Sequence, residues 1–249
     1  MLCPKSVDVG PIGTGTSVWG MAAIDEASRA ERLLWAQGEA ERTFGLIERD
    51  LLRPGVDELT LNGEIKALAR DHLGVTKHWH KRIVRSGPNT LHPYRENPPN
   101  RVIEDDDIVF LDLGPVFAEW EADVGRTFVL GDDPAKHALA DALDPVWVAG
   151  RQWYDAHTGA TGAQLYAHMT HLAHEHGYDF GGDIAGHLVG EFPHERIADG
   201  FECYIAPQNP TAMRSIDRLG RVNHWILEVH LVDRDRRFGG FVERLLTLP

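Results

Sequence analysis

The sequence predicts an α+β fold in two pseudo-symmetric halves, each with antiparallel strands covered by helices. Three observations carry that prediction. Apolar residues recur at helical spacing over 25–52 and 60–72, and strand-like runs follow them up to residue 131. The same succession of helix, turn, helix and strands restarts at residue 133 and continues to residue 247. Finally, the runs VIEDDDIVFLDLG and FAEWEADVGRTFVLG are separated by a short turn, which marks an antiparallel pair. The two halves share no residue-level identity, so the duplication rests on the order of elements alone.

Residues 1–23 are rich in Gly, Ser and Pro without a period and are expected to form a poorly ordered tail, leaving 24–249 as one domain. The GPIGTG in that tail has no preceding strand and no Lys-Ser/Thr pair, so it is not read as a phosphate loop. Leu33, Leu34, Phe44, Ile47, Leu51 and Leu52 form the apolar stripe of the first helix, which Arg53-Pro54-Gly55 stops. The second helix runs from about Thr60 to His72, with Gly74 as a left-handed stop. KHWHKRIVRSGPN is strand-like and then turns. In the second half, Asp133 caps a helix that Pro134 opens and that runs to about Ala156. Thr161 opens the next, which ends near Gly177, and the remainder is rich in strands.

The 249 residues are ample for a real core, and the composition, 43% hydrophobic and 25% charged, is that of a soluble globular chain. A net charge of −13 argues against nucleic acid and anionic membranes as partners. Cys3 and Cys203 provide neither a disulfide framework nor zinc-ribbon spacing. The first twenty residues lack an apolar run of signal-peptide length and no later run is long enough to span a bilayer, so a cytoplasmic location is expected.

Five residues able to bind metal stand out: Asp112, Asp123, His187, Glu228 and Glu243. Asp112 and Asp123 sit on the two strands that the turn brings back alongside each other. Two carboxylates buried side by side repel, and divalent cations remove that penalty. Taken singly, each Asp also suits a solvated turn. Glu228 in WILEVHLV and Glu243 in GGFVERLL are sharper signals, because a carboxylate with apolar flanks is not buried without a partner. The alternative for both is the exposed face of an edge strand. His187, between Gly186 and a Leu-Val pair, reads alone as a core residue.

SGPNTLHPYR, the Asp pair in DLG and EADVGRTFVLG, GHLVGEFPHE and the two late glutamates together resemble the methionine aminopeptidase, aminopeptidase P and prolidase family, metallopeptidases of the pita-bread fold. The resemblance covers about 25–249. It implies that Asp112 holds one ion, that Asp123 and Glu243 bridge two, and that His187 and Glu228 complete the other shell. It further implies catalytic roles for Glu228 as proton shuttle, for His194 at the substrate carbonyl and for His92 near the scissile bond. The implied cofactor is a pair of divalent ions (manganese, cobalt, iron or zinc) sharing a hydroxide that attacks a small peptide. A homodimer is compatible with the sequence, which does not decide the assembly.

The implied function is that of an aminopeptidase or dipeptidase of Xaa-Pro type. The methionine aminopeptidase signature is missing. A C–N hydrolase or lyase on the same scaffold, or a binding protein that has lost catalysis, are the alternatives. The departures keep them open: VHLVDRD follows Glu228 where the family has a proline, placing His230 on the Glu228 face as an extra ligand, a substrate contact or a packing residue. GHL also stands in place of GHG at His187. His78 and His80 flank Trp79 and are read as packing or pocket-lining residues, Trp120 as rim or interface, and His168, His171, His174 and His176 as a solvated helical face.

Overall fold

The computed structural model describes residues 24–192 and 200–248; the tail expected over 1–23 and His194 lie outside them. Helices α1 (Glu26–Asp50) and α2 (Glu58–Leu73) lead into β1 (Lys77–His78), β2 (Ile83–Ser86) and a single 3-10 turn over Gly87–Leu91. Then come β3 (Ile108–Leu113), β4 (Pro115–Phe117), β5 (Trp120–Glu121) and β6 (Val124–Val129). The second half contributes α3 (Pro134–Ala156), α4 (Gly162–Glu175), β7 (Asp179–Phe180), β8 (Leu188–Val189), β9 (His224–Val232) and β10 (Gly239–Leu245).

Local chemistry sets the helix ends. The Asp25, Asp57 and Asp133 carboxylates accept the first free backbone N–H groups of α1, α2 and α3. Thr161 and Gln164 satisfy each other's backbone donors at the start of α4. Gly74 ends α2 with φ of 68°, a left-handed conformation that costs glycine nothing.

The main sheet has the order β2-β3-β6-β10-β9-β7, every pairing antiparallel, with β8 also on β9. Three strands of the first half are thus met by three of the second in reversed order, and the seam is β6 against β10. This is the duplication that the order of elements suggested.

Alternation then divides the sheet into two faces. Val109, Leu111 and Leu113 on β3 join the core formed with Leu33, Phe44, Ile47, Leu61 and Ile65 of α1 and α2. Leu227, Val229 and Leu231 on β9 pack with Leu139, Val146, Trp147, Leu165 and Met169 of α3 and α4. The intervening residues Phe110, Asp112, Glu228 and His230 line a cavity instead.

Two readings need correction. The connection between β3 and β6 is longer than a simple turn: it holds the β4–β5 hairpin, which joins β1 in a separate three-stranded sheet. Ala118 and Glu119 at its tip both take positive φ, as a two-residue hairpin turn requires. Trp120, expected at a rim, is 6% exposed and belongs to the core under α1, because the hairpin folds it inward beside Val189.

Candidate metal centre

Sheet register builds the centre row by row. One row crosses the sheet as Ile83, Asp112, Gly125, Glu243 and Glu228. Three carboxylates therefore share one level of one face. Asp123 lies two residues before Gly125, on the same face and one pleat repeat along. Glu228 and Glu243 stand on interior strands, so the edge-strand alternative does not apply.

His187 approaches beside β9, where its carbonyl accepts Ile226 N–H at 2.8 Å. Gly186 before it has φ of 138° and passes so close to β9 that a β-carbon would lie 2.0 Å from the Ile226 carbonyl oxygen. The leucine of GHL is accommodated: Leu188 is buried in the second-half core and pairs with Trp225.

The donor atoms converge. His187 Nε2 lies 2.9 Å from Asp123, 3.4 Å from Glu243 and 3.6 Å from Glu228. Among the described residues it is aligned for a hydrogen bond with none of them, and Asp112 Oδ1 is likewise buried without a hydrogen-bond partner there. Asp123, His187 and Glu243 can bring one donor atom each within 4.8 Å of one another, and so can His80, Asp112 and Asp123.

His80 was read from the sequence as a packing or pocket residue, and its place beside the carboxylates was missed. Its Nε2 is 3.0 Å from Asp123 Oδ1 and 3.5 Å from Asp112 Oδ1. The only sequence signal was a histidine pair around a tryptophan, which has no spacing rule attached.

Without cations this cluster is electrostatically frustrated. Burial raises Asp112 to about 7 and Glu228 to about 8, the neighbouring carboxylates adding to the effect. Glu243 is also raised, by burial and then by Asp123 and Glu228. Burial opposes charge on Asp123 too, but His80 and His187 outweigh it and hold that carboxyl down at about 2. The imidazoles respond in turn: burial disfavours their charge, yet Asp123 and Asp112 carry His80 up to about 9, and His187 rises beside Asp123 and Glu243.

The carboxylates open onto a cavity of about 440 Å³. A second row lies one repeat along from the acidic one: Phe110 opposite Thr127, and Phe241 opposite His230. Thr127 Oγ1 is tied to the Phe241 backbone at 2.7 and 2.8 Å, joining the two pairs. His230 Nε2 donates to Thr90 O at 2.9 Å and its ring packs between Phe110 and Phe241, so it holds the floor together. His92 lines the same cavity farther out, its Nδ1 2.6 Å from Glu96. The remaining histidines lie elsewhere: His168 stacks on Trp153, and His171 reaches Glu175 at 3.3 Å on the exposed side of α4.

A profile of metallopeptidase family M24 matches residues 33–215, most of the chain and all of the span that carries Asp112, Asp123 and His187. The chain belongs to metallopeptidase family M24. Its fold is the pita-bread fold of that family. Among solved structures, a prolidase from Thermococcus sibiricus superposes with a TM-score of 0.72 at 22% identity, covering 91% of this chain and 57% of that one. A Xaa-Pro dipeptidase from Bacillus anthracis gives 0.69 at 25% identity, over 87% of this chain and 56% of that one. A methionine aminopeptidase from Rickettsia prowazekii gives 0.65 at 17% identity, over 90% of this chain and 95% of that one. The M24 chain thus spans little more than half the length of the two prolidase-type structures. No curated protein matches the sequence at a significant level.

Members of this family bind divalent metals, and the residues here fit such ions. Hard carboxylate oxygens dominate the donor set, and the buried unpartnered atoms Asp112 Oδ1 and His187 Nε2 both face it. Among the described residues, no helix is long and apolar enough to cross a membrane.

Proposed function

We propose that this M24 chain is a dinuclear metal-dependent peptidase, an aminopeptidase or dipeptidase of Xaa-Pro type. The observation that carries the reading is the gathering of three buried carboxylates and the part-exposed Glu228 around Asp112 Oδ1 and His187 Nε2, buried atoms without a hydrogen-bond partner among the described residues. Asp112, Asp123, His187, Glu228 and Glu243 would hold the ions, with Asp123 and Glu243 shared between them. When bound, two such cations polarise a scissile carbonyl and bring the pKa of water from 15.7 to about 7.

The side chains supply the rest. Glu228 is the most exposed of the four carboxylates, 15% against 12% for Asp112, 3% for Glu243 and 1% for Asp123. It lines the cavity, and the role assigned to it is to take a proton from the attacking water and deliver it to the departing amide nitrogen. Phe110, Phe241 and His230 form a rigid floor that excludes water and receives a compact apolar residue such as proline. His92 is assigned to the substrate from the outer wall, and His194 to the substrate carbonyl.

The names of the prolidase and Xaa-Pro dipeptidase neighbours support the same substrate class. A panel of Xaa-Pro and Met-Xaa peptides, assayed with manganese or cobalt and with bound metal measured, tests it. Turnover of Xaa-Pro members is expected. No turnover on any member with metal bound removes the peptidase assignment.

A further inference from the structure

Asp123 is bracketed by two imidazoles that are held in the same way. His187 Nδ1 is 2.8 Å from the carbonyl of Leu188, and His80 Nδ1 is 2.7 Å from the carbonyl of Lys81, in each case the next residue along the chain. A carbonyl only accepts, so both contacts place the hydrogen on Nδ1. Each Nε2 then turns to a different oxygen of Asp123, His187 to Oδ2 at 2.9 Å and His80 to Oδ1 at 3.0 Å. Fixing one ring nitrogen on a backbone carbonyl leaves the other oriented toward a cation, the usual arrangement of a metal-binding histidine.

The surroundings treat the two rings as a pair. Trp79 stands edge-on to both, its centroid 4.5 Å from His80 and 5.2 Å from His187, and its Nε1 donates to Ala122 O at 3.0 Å. Both imidazole side chains are only 4% exposed. Gly114 makes the room: a β-carbon there would lie 2.0 Å from His80 Cδ2 and 2.7 Å from Trp79 Nε1. Asp112 Oδ1, the unpartnered buried oxygen, is the atom that His80 faces at 3.5 Å beyond Asp123.

We propose that His80 is a sixth protein ligand, its Nε2 binding the cation held by Asp112 and by Oδ1 of Asp123. The inference rests on the dinuclear reading above. It gives each cation one imidazole, so the centre is richer in nitrogen than five ligands would make it. Nitrogen favours zinc, cobalt and iron over manganese. Each ring would bind as the neutral form, releasing a proton on metal uptake if it carried one.

X-ray absorption of the zinc-loaded protein counts imidazoles per metal without assaying activity. With metal content verified by elemental analysis, two imidazoles over two ions should give about one per zinc, falling to about one half in His80→Gln. The same variant should weaken zinc binding more than about 100-fold, beyond the 10–100-fold that loss of an outer hydrogen bond brings. Manganese binding should weaken less. A wild-type protein that holds two zinc ions with about one half imidazole each overturns the role of His80 and leaves the dinuclear reading intact. Unchanged zinc affinity in His80→Gln, whose amide can still donate to Asp123, does the same and makes His80 a positioning residue. A wild type that binds no metal overturns both.

Discussion

Two neighbouring rows on one face of the sheet differ completely in chemistry. The row through Asp112, Gly125, Glu243 and Glu228 is acidic; the row through Phe110, Thr127, Phe241 and His230 is aromatic. They are two residues apart on every strand, about 7 Å along the chain. Each is costly alone. Without cations the acidic row holds Asp112 and Glu228 protonated to about 7 and 8, and the aromatic row presents apolar surface to a cavity. On the proposed function, one strand spacing would then set the distance between the metal chemistry and the substrate side chain.

The largest way to break the acidic row is Asp123→Asn. A neutral amide bridges two cations poorly, so metal stoichiometry should fall from two ions to one. Activity should drop by at least about 10³-fold, the several kcal/mol of charge stabilisation that a metal supplies. Elemental analysis alongside kcat/KM checks both. Retention of metal and activity together would show that Asp123 is not the shared residue.

Phe241→Ala attacks the other row. Truncating a buried phenylalanine costs about 3 kcal/mol, read by urea unfolding. If the rows divide the labour, KM for apolar substrates should rise while metal content stays constant. A loss of metal in this variant would mean that the aromatic row supports the ions and the division fails.

The pH dependence of the metal-free protein sharpens the contrast. Asp112 at about 7 and Glu228 at about 8 lie above their unfolded values, so they favour the fold in the protonated form. That stability is fully present below the unfolded carboxylate range and is lost as pH rises through about 7 and 8. Thermal unfolding in chelator should show roughly 4 kcal/mol lost between pH 6 and pH 9, about one pH unit of linkage from Asp112 and two from Glu228. Saturating divalent metal should reverse the slope, because ions bind the ionised form.

Much of this was legible in the sequence for reasons the structure makes physical. Helix ends announced themselves through local capping at Asp133, Thr161 and Gly74, which depends on a few adjacent residues. Glu228 and Glu243 were visible because charge inside an apolar run is costly wherever it falls. His80 was not, because its role comes from a bend after β1 and from the space at Gly114, neither of which leaves a periodic trace. Gly114 carried no reading of its own, and its lack of a side chain is what admits Trp79 and His80 from the bend after β1. His230 was legible only in direction: alternation put it on the Glu228 face, but its partner Thr90 lies 140 positions away in sequence.

Gly125 is where the two rows meet, and Gly125→Ala is the finest test of their spacing. Gly125 occupies the acidic row without a side chain, and the Phe241 ring leans into that gap. An added β-carbon would lie 2.4 Å from Phe241 Cε1 and 3.1 Å from Glu243 Cβ. The glycine conformation is not the constraint, since φ there is not positive. The ring must therefore rotate off its place, at about 1–2 kcal/mol for an overpacked methyl group. The displaced ring should change which side chains the cavity accepts before it changes metal binding, so KM on the peptide panel should move while metal stoichiometry holds. Equal losses in both would put the Glu243 contact, rather than the ring, in control, and the two rows would then be one coupled unit.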